Sequence, residues 1–213
     1  MSDNLIKALE AADRDWRNNV GEHERSSLDR MFVASGFARQ APRAWDAKVP
    51  DWCGMAVGLW LQDGGMNHPY GRQRNVNPKR LDTQIQIDGK WTRIDAVQAG
   101  AMARRWLGRS DILARLNNDA RFLDLDLFKP GDVVLLDWAG HNDADHITLV
   151  KSWDGSKLVT MEGNASGLGP AGEKRRESVV TRTLDLSKSA NARLVYGVGR
   201  LSPMDFSINL VKP

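Results

Sequence analysis

The nine residues Cys53-Gly54-Met55-Ala56-Val57-Gly58-Leu59-Trp60-Leu61 form an unbroken apolar run. That is about half the roughly 18 residues needed to cross a bilayer. It is also too apolar for a surface helix, whose solvent face would place a polar side chain every three or four residues. The run therefore predicts a helix buried on most of its faces, and such a helix needs other elements packed on several sides. A chain of 213 residues is long enough to supply that surround as a single domain. Pro50-Asp51 lies directly upstream as a loop, which puts Cys53 in the first turn of the helix.

Periodicity changes along the chain. Leu5, Ile6, Leu9, Ala12, Trp16 and Val20 form one helical stripe over residues 3–20, closed by Gly21. Ser26 or Ser27 is placed to cap a second helix through Leu28, Met31, Phe32 and Val33, ending at Gly36. Pro42 and Pro50 mark a loop. Residues 62–92 read as a long irregular connection, and residues 93–117 as two helices broken near Gly108-Arg109-Ser110-Asp111. From Pro130 the pattern becomes β-rich: residues 132–138, 146–153, 157–162, 178–184 and 193–201 are short strands separated by Gly, Asp, Asn and Ser. Helices first and strands afterward predict an α+β domain with an antiparallel sheet or half-open barrel. No repeat and no low-complexity linker divides it.

Composition excludes several classes. The net charge of +3, from 30 basic and 27 acidic residues, is too small and too dispersed to indicate nucleic-acid binding. A single cysteine, Cys53, rules out an intrachain disulfide and any multi-thiolate metal cluster. The first residues, MSDNLIKALEAADRDWRNN, lack the apolar core of a secretory signal, so synthesis in the cytoplasm without a leader is expected, with no membrane insertion.

The lone thiol is either a small core hydrophobe or a nucleophile. A helix N-terminus favours the second, because unpaired amides and the positive end of the helix dipole stabilise a thiolate there. Its natural base is an imidazole. Of the four histidines, His23 lies in a charged surface segment, and His68 and His141 lie in turns. His146 opens the apolar strand His146-Ile147-Thr148-Leu149-Val150, where backbone geometry fixes the ring. An orienting group is needed next. Alternation along Met161-Glu162-Gly163-Asn164 puts Glu162 and Asn164 on one face, and a hairpin through Asp154-Gly155 would bring that face to His146. Asp143, Asp145 and His146 offer a competing metal-ligand cluster with too few carboxylates for a hard-ion loop. Trp52 and Trp138 flank these segments and are candidates to line a glycan or peptide groove.

The blocks Asp51-Trp52-Cys53-Gly54-Met55-Ala56-Val57, Lys129-Pro130-Gly131-Asp132-Val133-Val134, Asp145-His146-Ile147-Thr148-Leu149-Val150 and Met161-Glu162-Gly163-Asn164, in this order, resemble the CHAP family of cysteine, histidine-dependent amidohydrolases/peptidases. The resemblance covers residues 50 to about 165. It implies a papain-like fold and peptidoglycan as substrate; separately, no metal or other cofactor is expected, with calcium dependence left open. Carried over by position, Cys53 is the nucleophile, His146 the general base and acid, Glu162 the orienting group and Asn164 an assisting polar group. On that pattern residues 1–40 are an N-terminal helical extension, 41–62 the nucleophile loop and helix, 63–128 a helical insertion, and 129–202 the sheet.

Two departures accompany the resemblance. The stretch between Cys53 and the Pro130 block is long, and no glutamine precedes Cys53 to donate to an oxyanion, which leaves the backbone N–H of Cys53 as the first donor. The expected setting is the periplasm or cell wall, reached as an injected antibacterial effector with a cognate immunity protein or as a phage-type lysin. A catalytically silent wall-binding or protein-binding module, or a thiol acyltransferase, stands as the alternative.

Overall fold

The computed structural model describes residues 2–34, 52–65, 83–87, 90–94, 111–114, 128–140 and 145–200. Helix α1 spans Asp3–Arg17, α2 Arg25–Ala34 and α3 Cys53–Asp63. Eight strands follow: β1 Thr83–Ile87, β2 Lys90–Ile94, β3 Asp111–Ala114, β4 Val133–Leu136, β5 His146–Trp153, β6 Lys157–Leu168, β7 Lys174–Asp185 and, after the short α4 (Ser189–Ala192), β8 Val195–Arg200. β1 and β2 form a two-stranded sheet. The other six pair antiparallel in the order β3-β8-β4-β5-β6-β7. The protein is thus an α+β fold built on an open antiparallel sheet.

Alternation divides that sheet into two apolar faces. Val133, Leu135, Ile147, Leu149, Met161 and Val179 pack with α1, α2 and α3, whereas Val134, Leu136, Val150, Leu158, Leu184, Val195 and Val198 form a second cluster with Phe128 and Leu186. A central strand with both faces covered reads as a continuous apolar run, as Val133-Val134-Leu135-Leu136 does. Helix α3 is the hub of the first cluster, with every residue from Cys53 to Leu61 buried. Helix α1 presents Ala8, Ala11 and Ala12 to the core, while Ile6, one residue past Leu5 around the helix, turns out to solvent at 39 % exposure. Asn19, in the left-handed conformation at φ 54°, follows the helix before Gly21 is reached. Val20 and Glu22 then hydrogen-bond along the edge of β7.

Two turns carry the strands that matter for the site. Gly131 adopts φ 88°, and the Asp132 carboxylate accepts the Lys129 N–H at 2.8 Å, starting β4. Between β5 and β6, Gly155 adopts φ 95° and the Asp154 carboxylate accepts the N–H groups of Ser156 and Lys157. This is the hairpin expected at Asp154-Gly155.

The region between nucleophile and base departs from expectation. Within the predicted irregular connection and the predicted helices lie β1, β2 and β3, all strands; residues 66–82, 95–110 and 115–127 lie outside the described residues. Thr83-Gln84-Ile85-Gln86-Ile87 and Lys90-Trp91-Thr92-Arg93-Ile94 are separated in sequence by Asp88-Gly89, a strong hairpin signal. For β3, pairing with β8 outweighs the local helical pattern, since strand preference depends on cross-strand neighbours.

Candidate active site

Cys53 is the first residue of α3, and nothing caps that end through a side chain. Its place is set from two sides. The preceding Trp52 is fully buried and its indole N–H donates to Glu22 Oε1 at 3.2 Å, tying the start of the helix to the segment after α1. On the other side, Gly163 of β6 lets the helix approach. A Cβ there would run into Ala56 and lie 2.9 Å from Trp52 Cζ3, so only glycine allows this contact without rearrangement. The residue that seats the helix thus adjoins Glu162 in sequence.

His146 is the first residue of β5, paired with Leu136 of β4, and it is 7 % exposed. Its Nε2 lies 3.2 Å from Glu162 Oε2. The strands are offset by two residues from a direct 146–162 pairing, because Leu149 faces Met161 and a bulge intervenes after Val150. An even offset preserves the face, so the contact is diagonal and still close.

Glu162 is fully buried with both oxygens engaged: Thr160 Oγ1 donates to Oε1 at 2.6 Å, and Arg182 Nε donates to Oε2 at 3.1 Å. Burial opposes its ionisation, but the hydrogen bond and charge of His146, with Arg182 and Thr160 behind them, hold its pKa below the ordinary carboxylate value. An ionised carboxylate only accepts, so His146 Nε2 carries the hydrogen and Nδ1 is the nitrogen left for another partner. The ring's second partner is the Cys53 side chain. Burial works against charge on the ring, yet Cys53 first and Glu162 second outweigh it and raise the His146 pKa to about 10. Thiol, imidazole and carboxylate, contributed by α3, β5 and β6, thus form one connected group.

The remaining candidates separate. Asn164 adopts φ 54° within a register shift between Glu162 and Ala165, so the alternation that would align it with Glu162 is interrupted there. Trp138 is 38 % exposed, with its ring centroid 6.5 Å from that of His146. Trp52, by contrast, is a core residue with no exposed surface to line a groove. His23 is exposed and contacts Asn19, whereas His68, His141 and Asp143 lie outside the described residues. Asp145 uses both carboxylate oxygens on the N–H groups of Trp138 and Ala139, which shapes the turn before His146. Among the described residues, no group of three or more His, Cys, Asp or Glu is placed to hold a metal ion, and no helix is long and apolar enough to cross a membrane.

Thr160 and Arg182 join the site without a catalytic motif to mark them in the sequence. Thr160 is legible as the same-face neighbour two residues before Glu162. Arg182 stands across from Thr160 in the β6–β7 hairpin, at equal distance from Ala171 in the glycine-rich turn. Its guanidinium also donates to Ser166 O at 2.6 Å and lies 4.6 Å from the Trp138 ring centroid. No family model, curated protein or solved structure matches the chain. The site therefore stands on its own chemistry.

Proposed function

We propose that this protein is a papain-like, CHAP-type thiol hydrolase that cleaves an amide bond in peptidoglycan. The observation that carries the proposal is the imidazole of His146 held between the Cys53 side chain and the Glu162 carboxylate. In this mechanism the Cys53 thiolate adds to the amide carbonyl, and the backbone N–H of Cys53 donates to the resulting oxyanion. His146 gives its proton to the departing amine, leaving a thioester on Cys53. Water then attacks the thioester as His146 takes a proton from it, and the thiolate and a free carboxylate are released. Glu162 keeps the ring in orientation throughout.

Cys53 is 1 % exposed, so opening of the site precedes attack. Trp138 offers an exposed aromatic surface beside His146 for a sugar or stem peptide. Delivery to the wall as an injected effector, guarded by an immunity protein, or release as a lysin belongs to the same proposal.

Mass analysis of muropeptides after digestion tests it. New amine and carboxylate ends are expected, lost by at least about 10³-fold in Cys53→Ala. The burial of the sulfur favours one other role, a wall-binding module without turnover. Unchanged muropeptides with retained binding to sacculi would establish that role, and cross-linked or exchanged products would point to acyl transfer.

A further inference from the structure

Glu162 has three donors on two oxygens, and two of them, His146 Nε2 and Arg182 Nε, share Oε2. Sharing matters chemically. A buried carboxylate bonded to imidazole alone favours the imidazolium, which suits protonation of a leaving amine but opposes the return step, in which the ring must accept a proton from water. A guanidinium on the same oxygen takes up one lone pair and offsets the negative charge. Among the described residues, the groups shown acting on His146 are Cys53 of α3, Glu162 of β6 and the neutral Trp138 after β4, and those shown acting on Glu162 are His146 of β5, Thr160 of β6 and Arg182 of β7. Arg182 is the one permanent cation among them.

Arg182 is also fixed in place. One terminal nitrogen donates to Ser166 O at 2.6 Å, the guanidinium lies over the Trp138 ring, and the backbone is paired opposite Thr160. Three contacts, two from β6 and one from the segment after β4, therefore hold the guanidinium where its Nε meets the carboxylate.

We propose that Arg182 is a positioning residue of the Cys53–His146–Glu162 group, holding Glu162 from β7 and weakening its grip on the imidazole so that the ring can both give and take a proton. The proposal rests on the thiol-hydrolase reading above, but its test does not. The His146 ring resonances, identified by their loss in His146→Gln, are followed by NMR against pH in the wild type, Arg182→Gln and Arg182→Lys. Loss of the cation in Arg182→Gln moves the His146 titration upward by about one pH unit, with the pH–rate profile following, and Arg182→Lys falls between that variant and the wild type. A merely structural tie would lower the melting temperature and leave the titration where it was. A folded Arg182→Gln protein with His146 unmoved, or moved downward, overturns the proposal; if that variant does not fold, Arg182→Lys with an unmoved titration does so. A titration that moves as expected in a protein releasing no amine from peptidoglycan ends the hydrolase reading and leaves Arg182 its role. Amine release with an unmoved titration does the reverse.

Discussion

Two buried carboxylates in this protein sit beside arginines, and their surroundings differ in one respect. Asp15 of α1 accepts the Trp60 indole N–H at 2.9 Å, with Arg14 and Arg30 on its other oxygen, and both arginines also reach Asp63. The cluster ties α1, α2 and α3 together. Glu162 has an arginine and a neutral donor as well, but its third partner is an imidazole that in turn meets a thiol. Indole and guanidinium neither give nor take protons near neutral pH, whereas imidazole and thiol do. Burial beside an arginine therefore marks structure and chemistry alike, and the titratable partner tells them apart.

The comparison breaks most sharply on activity. Glu162→Gln keeps the shape but ends the ionic hold on His146, and amine release from peptidoglycan is expected to fall by about 10²- to 10⁴-fold. Asp15→Asn is expected to stay within about twofold of the wild type, because the partners of Asp15 are Trp60, Arg14 and Arg30 rather than His146 or Cys53. Comparable losses in the two variants would erase the distinction.

Stability comes next. Asp15→Ala strips the Trp60 N–H and two arginines of their acceptor and is expected to cost about 3 kcal/mol in urea unfolding, with the His146 titration unchanged. Gly163→Ala, which forces a methyl against Ala56 and Trp52, is expected to cost about 2 kcal/mol and also to disturb the site, because the start of α3 must retreat from β6.

The third observable is pH dependence. His146 has its pKa raised from 6.5 to about 10 in the fold, so its stabilising contribution is complete below pH 6.5 and is lost as pH rises through about 10. Glu162 is lowered from 4.5, so its contribution is present above that value and lost as pH falls through the folded-state pKa. Unfolding free energy measured across the alkaline window should decline in the wild type and flatten in His146→Gln. Asp15→Asn should leave the decline in place, which separates the two clusters by this observable as well.

The helices and the site were unequally legible. The α1 stripe and the apolar α3 follow from spacing alone, because a 3.6-residue period shows itself within a few turns. Asp154-Gly155 likewise locates the hairpin that joins His146 to Glu162. The left-handed turn of the chain at Asn164 was not legible, because strict alternation has no means of signalling a bulge. β3 has a helical spacing in sequence, and the partner that makes it a strand, β8, lies more than 80 residues away. Trp52 and Trp138 look alike in sequence and differ only in what packs over them.

The residues themselves determine that a lone sulfur begins a buried helix, that an imidazole opens a strand, and that a carboxylate lies one hairpin away, since each rests on local period or turn chemistry. Tertiary structure alone decided that Gly163 would admit the helix, that Arg182 would share an oxygen with the imidazole, and that the sulfur would be covered. Those outcomes depend on which distant surfaces meet and at what register, and contacts of that kind are set by the packing of the whole molecule.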